Sequence, residues 1–249
     1  MSELTLQGAN AALGAYLLIG GGGSRAVLKW RARDPERLLG AREPVEAWVV
    51  QEFIDGPTPP RLDDRVAEQM TGILGLQEAM FPGAAGGWGQ WAAGVVFEDW
   101  DGLRGRVACG VPGGSRIVAA VDAIAAACRP GPLSGQDLVH GNFYLADTIA
   151  AAGRLWVVDV EALGAAPRAD DLAEVLLVGA GHGHVTASAA ARLWAYAAGL
   201  DRREFAVCEG SIALTMAESF VRHGRAGQAA GAVSEMARAL TQALSLAGA

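Results

Sequence analysis

Two regimes of apolar spacing divide this chain. Over residues 1–56, short runs of consecutive apolar residues alternate with turn chemistry. Ala15-Tyr16-Leu17-Leu18-Ile19 and Ala26-Val27-Leu28-Lys29-Trp30 are joined by Gly20-Gly21-Gly22-Gly23-Ser24, a composition suited to the positive φ angles of a hairpin turn. The glycines lead into a strand-like run rather than a helix and lack the GxxxxGK[ST] spacing, so they read as a turn and not as a phosphate loop. A short helix is predicted over 34–46, opened by Asp34-Pro35 in the N-cap and first helical positions. A strand over 48–54 follows, closed by Asp55-Gly56-Pro57.

From residue 62 the period lengthens to that of helices. Val66, Met70, Ile73 and Leu74 mark one face of a helix over 62–80. Further helices are predicted over 116–128, 169–178, 188–198, 204–223 and 232–246, with short strands over 138–140 and 155–160. Residues 81–114 are rich in Gly and Trp without a period and read mostly as loop. The pattern predicts an α+β protein with a β-rich lobe over 1–56 and a helical lobe over 57–249, joined near residues 55–59.

Composition narrows the function classes. With 51% hydrophobic and 19% charged residues in 249, bulk disorder is excluded. A net charge of −7 argues against general nucleic-acid binding, which rests on clustered basic residues. No run reaches the roughly 18 apolar residues of a membrane span, and the N-terminus lacks a basic-then-apolar leader; the expectation is a cytoplasmic protein without membrane contact. Cys109, Cys128 and Cys208 form no CxxC pair and read as buried apolar fillers rather than a disulfide or zinc framework. His182 and His184, set between glycines without a third ligand nearby, read as a solvated loop. Nineteen of the 20 basic residues are arginine, leaving Lys29 as the one lysine, and asparagine occurs only at Asn10 and Asn142.

The informative segments are Val139-His140-Gly141-Asn142-Phe143-Tyr144-Leu145-Ala146-Asp147, then Trp156-Val157-Val158-Asp159-Val160-Glu161, then Ala169-Asp170-Asp171-Leu172-Ala173. In order and spacing they resemble the aminoglycoside phosphotransferase and choline kinase-like family, with its HGDxxxxN loop, hydrophobic strand ending in D-x-E, and DLA helix start. The resemblance implies a two-lobed, protein-kinase-like fold with a truncated antiparallel N-lobe sheet, a catalytic loop at 139–147 and a metal strand at 155–161. It implies ATP or GTP with Mg²⁺ as cofactors. Lys29 then takes the nucleotide phosphates, Asn10 belongs to the flap Gly8-Ala9-Asn10, Gln51 and Phe53 lie on the hinge strand against the nucleotide, and Glu43 is preferred over Glu36 as the partner of Lys29. Pro44 would end or kink a helix beside that partner. Asp159 and Asp147 become Mg²⁺ ligands, and Glu161 serves a second ion or the loop backbone. His140 orients the loop, while Asp171 holds it and caps the following helix.

Phosphoryl transfer needs just such parts: a lysine on the phosphates, carboxylates for Mg²⁺, and a base for the attacking hydroxyl. Two features depart from the pattern. Asn142 stands where the family has its catalytic aspartate, and Asp147 where it has an asparagine, so the pair is exchanged. An amide cannot accept the proton, and a general base is worth roughly 10²–10⁴-fold. The space from Arg31 to Ala47 is also about half of what the family uses for its N-lobe helix and extra strand. Two readings stay open: an O-phosphotransferase acting on a small-molecule or peptide hydroxyl, in antibiotic resistance or natural-product assembly; or a pseudokinase or repurposed fold that binds a partner or does other chemistry. Leu214, Met216 and Phe220 on the C-terminal helices support a homodimer or partner interface less strongly than they support core packing.

Overall fold

The computed structural model describes residues 4–10, 15–20, 25–32, 46–52, 54–80, 87–159, 162–225 and 229–248. They fall into two compact units, Met1–Pro57 and Thr58–Ala249. The first holds a four-stranded antiparallel sheet of β1 (Leu4–Asn10), β2 (Ala15–Gly20), β3 (Arg25–Ala32) and β4 (Glu46–Glu52), in sequence order. The register sets Lys29 opposite Ala15 on one side and Val49 on the other. Gly8-Ala9-Asn10, expected as a flap, is the end of β1, with a register shift between Leu6 and Gly8. The predicted 34–46 helix lies outside the described residues except for Glu46, which already opens β4.

The second unit is helical: α1 (Asp64–Leu76), α2 (Trp88–Phe97), α3 (Leu103–Gly110), α4 (Gly114–Ala127), α5 (Ala169–His182), α6 (Ala187–Ala197), α7 (Arg202–Arg222) and α8 (Ala230–Ala247). Side-chain caps fix three starts, with Asp63, Thr186 and Asp201 accepting from Val66 N, Ala189 N and Glu204 N, as expected of these residue types at N-caps. Helix α7 is the axis of the packing. Every residue from Phe205 to Leu214 is buried, as a helix enclosed on all sides requires, and α2, α3, α4, α5 and α8 pack around it.

Residues 87–110 are helical rather than loop. The glycines of α2 serve close approach, not turning: a Cβ at Gly94 would come within 2.8 Å of the Trp100 ring, and one at Gly89 within 3.1 Å of the Ser134 carbonyl. Cys109 is exposed on α3, against the expectation of burial, while Cys128 and Cys208 are buried. Leu214 is fully buried, and Met216 and Phe220 pack against the core. Among the described residues no helix is long and apolar enough to cross a membrane.

Two small sheets carry the informative segments. Strand β5 (Asp137–Val139) pairs with β8 (Gly164–Ala166), Val139 opposite Gly164. Between them lies the hairpin of β6 (Thr148–Ala151) and β7 (Arg154–Val157). Its two-residue turn, Ala152 (φ 48°) and Gly153 (φ 78°), has the left-handed pair that a type I′ hairpin demands. The predicted 155–160 strand thus ends at Val157, and its partner β6 and the closing strand β8 were not predicted.

Candidate functional site

Pairing of β5 with β8 closes a loop whose two ends, residues 140 and 163, leave side by side. The loop is seated on the first turns of α5. Asp171, fully buried, accepts from His140 N (2.7 Å) and Gly141 N (2.9 Å), and Gln77 Nε2 at the end of α1 donates to it at 2.6 Å. One turn on, Glu174 Oε2 accepts from Phe143 N at 2.7 Å. Asp171 is the third residue of α5, inside the helix and not its cap, and its oxygens accept from the loop and from Gln77. Gly141 takes φ 75° and a Cβ there would lie 2.9 Å from the Ala162 carbonyl and 3.0 Å from Trp88 Nε1. Glycine is required twice over.

At the far end, Asn142 Nδ2 donates to Asp147 Oδ2 at 2.6 Å. A carboxylate only accepts, so the amide must turn its NH₂ to it. Asn142 is exposed and Asp147 is buried. Val158 then joins three candidate positions: its N–H donates to Asp147 O (2.9 Å), its carbonyl accepts from His140 Nε2 (2.9 Å), and Asp159 is the next residue. Asp159 is half-buried in the left-handed region at φ 68°, a conformation that Asp adopts more readily than most non-glycine residues. The His140 ring thus ties the start of the loop to Val158.

Burial governs the electrostatics. Desolvation raises Asp170 to about 7 and Glu174 to about 8, with neighbouring carboxylates adding to both. Burial also raises Asp171, opposed by its three donors and by His140. Tyr144 is raised by burial, then by the negative field of Asp147, Glu174 and Asp159.

Asn142, Asp147, Asp159, His140 and Asp171 are thus brought together. Asn10 ends β1, Lys29 is in β3 and Gln51 is in β4 opposite Val27; Glu43, Phe53 and Glu161 lie outside the described residues. Glu174 and Gln77 were not foreseen. Glu174 had a signal: three residues after Asp171 on a helix, it must share that face.

No family model matches the sequence, and no curated protein matches it either. Solved structures do. A choline/ethanolamine kinase family protein from Mesorhizobium loti superposes with a TM-score of 0.60 at 14% identity, over 99% of this chain and 92% of that one. An aminoglycoside phosphotransferase homologue from Ralstonia eutropha gives 0.58 at 14%, over 99% and 93%. The chain has the aminoglycoside phosphotransferase and choline kinase-like fold. A thermostable aminoglycoside phosphotransferase variant in ternary complex with ADP and hygromycin B shares this kinase-like fold at a TM-score of 0.59 and 13% identity, over 97% of this chain and 94% of that one.

Within the kinase-like fold, a divalent cation is the group whose fit to these residues can be tested. Among the described residues no three His, Cys, Asp or Glu side chains gather into a cage. Two hard carboxylates on backbone-linked segments, Asp147 and Asp159, are instead a donor set suited to Mg²⁺, which binds through one or two carboxylates and completes its shell with water and phosphate oxygen.

Proposed function

We propose that this protein binds a Mg²⁺-nucleotide, and that O-phosphorylation of an acceptor hydroxyl, the reaction the resemblance implies, is slowed by the exchange of amide and carboxylate at positions 142 and 147. The observation that carries the reading is the Asp147–Val158–Asp159 link, which supports two carboxylates as ligands beside a loop anchored from below. When bound, Mg²⁺ neutralises charge on the phosphates and aligns them for transfer.

In that transfer the acceptor oxygen forms a bond to the γ-phosphorus, the bond to the β–γ bridging oxygen breaks, and the nucleoside diphosphate leaves. The acceptor proton must depart as well. Asn142 cannot take it, and its NH₂ holds the nearby carboxylate of Asp147 by hydrogen bond. The proton therefore has no dedicated base at position 142, and the rate falls by the general-base contribution. Lys29 on β3 is assigned to the phosphates, and Asn10, Gln51, Phe53 and Glu43 to the nucleotide side.

Calorimetric titration with ATP and Mg²⁺ tests the reading. Saturable heat in the parent, lost in Asp159→Ala, is expected; an athermal parent at millimolar ATP overturns it.

A further inference from the structure

Asp171 and Glu174 hold the outgoing end of the 140–163 loop by the N–H groups of His140, Gly141 and Phe143. The returning end is held from a different helix. Trp88, the first residue of α2, donates from Nε1 to the Ala162 carbonyl at 2.8 Å. The same indole lies against the outgoing end, where a Cβ on Gly141 would meet Nε1 at 3.0 Å and Cε2 at 3.2 Å. It also lies against β8, where a Cβ on Gly164 would meet Cδ1 at 2.7 Å and Nε1 at 2.8 Å. One half-buried ring is thus in contact with both ends of the loop that carries Asn142, Asp147 and Asp159.

Close approach fixes the ring in turn. A Cβ at Gly87, the N-cap of α2, would lie 2.6 Å from the Ala165 carbonyl, and one at Gly89 would lie 3.4 Å from the Pro167 ring. These two glycines let the first turn of α2 settle onto β8 and the residue that follows it. Trp91, one turn on, meets the Trp88 indole edge-on with 5.7 Å between ring centroids. An indole nitrogen is a donor only, and a glycine inside a strand weakens it and marks a close approach. A hydrocarbon side chain would fill this space without offering the donor, so the Nε1 bond to Ala162 is a tie between elements and not a by-product of packing.

We infer that Trp88 is a positioning residue of the candidate site: its indole clasps the two ends of the loop and keeps the site residues between them in register. Asn142 follows Gly141 directly, so a ring that confines Gly141 also confines the start of the amide that holds Asp147. Val158 ties the chain on the near side of Asp159 to Asp147 and His140. Trp88 ties it on the far side, at Ala162, three residues past Asp159. What the clasp positions, a Mg²⁺-nucleotide, rests on the reading above; the clasp itself rests on these contacts.

Two measurements on the full chain test it: amide hydrogen exchange, and calorimetric titration with Mg²⁺ and a non-hydrolysable ATP analogue. Trp88→Phe keeps an aromatic ring and removes the donor. Gly164→Ala drives a methyl group into the indole from β8 and replaces the first variant if thermal melts show that one unfolded. In the folded variant, the amides of residues 140–147 and of 162–166 should both exchange about three- to tenfold faster, the net worth of one hydrogen bond. Affinity for the Mg²⁺-analogue pair should fall by about tenfold, the lower end of what losing a group that orients metal ligands from outside costs. Global stability does not enter that affinity well below the melting midpoint. Parent-like exchange at either end of the loop, or parent-like affinity in a folded variant, overturns the inference. A parent that gives no heat sinks the nucleotide reading instead, and exchange at the two ends then decides the clasp by itself.

Discussion

At its His140–Gly141 end, the segment that runs to Asp147 hangs from Asp171, a buried carboxylate that also receives Gln77. At the Asn142–Asp147 end, an exposed amide leans on a single carboxylate oxygen, and the two residue types stand in the reverse of the order that the resemblance leads one to expect. The holding end hangs on a buried carboxylate with three donors; the end proposed for chemistry is altered and open. Scaffold and chemistry are therefore separable within eight residues: a loop can keep its seat, and the ligands beside it, while the group that would take a proton is replaced.

The largest test of that separation is Asn142→Asp, which returns a carboxylate to the open end. A gain in phosphotransfer or background ATP hydrolysis approaching 10²–10⁴-fold is expected. Two carboxylates at hydrogen-bond distance cannot both ionise readily, so one keeps a proton and the gain grows from pH 6.5 to pH 8.5. A parent rate equal to the variant's at both values would mean that the open end works without this base.

Asp171→Ala attacks the holding end. Three donors lose their acceptor in a buried place, at a cost of about 3–5 kcal/mol, which lowers the unfolding midpoint by roughly 6–20 °C. Circular dichroism melts read this directly, and a midpoint within about 2 °C of the parent's would refute the anchoring role.

Glu209 supplies the contrast within the core. It lies in the wholly buried stretch of α7, neither carboxyl oxygen has a hydrogen-bond partner among the described residues, and burial pushes its pKa well up. Burial alone does not make a carboxyl group an anchor. Glu209→Met, which removes unsatisfied oxygens while keeping the volume, is expected to stabilise by about 1–3 kcal/mol, and a lowered midpoint would reveal a hidden partner.

The last test is a slope with pH. Glu174 stands at about 8 against 4.5, and Asp170 at about 7 against 3.8. Between those values the folded chain keeps protons that the unfolded chain has released, so this stability is full below about pH 4 and lost as pH climbs to about 8. Melts from pH 5 to 8.5 should fall in the parent and flatten in a Glu174→Gln, Asp170→Asn double variant; an unchanged slope would assign the effect elsewhere.

The helices after residue 114 were legible because their apolar spacing matches the faces they bury. Residues 87–110 were not, because Gly89 and Gly94 read as turn signals and act as contact surfaces. The β6–β7 hairpin was hidden by a turn of Ala152-Gly153, weaker chemistry than Asn-Gly for the same geometry. At the site, motif order found His140, Asn142, Asp147, Asp159 and Asp171, all on short-range segments. Gln77 was unreadable, since 94 residues separate it from its partner and no local pattern spans that distance.

Trp88 has a consequence that belongs to evolution. Its Nε1 donates to the Ala162 carbonyl at 2.8 Å, and its indole occupies the space that a Cβ on Gly164 would need, 2.7 Å from Cδ1, as well as crowding Gly141. The two glycines are constrained for different reasons. Gly164, in an ordinary strand, is glycine only because the indole is there; Gly141, at φ 75°, stays glycine whatever replaces the tryptophan. A lineage that loses the indole releases position 164 to drift while 141 stays fixed. Trp88→Leu should accordingly rescue Gly164→Ala and leave Gly141→Ala unrescued, an order of permissible change written into one ring.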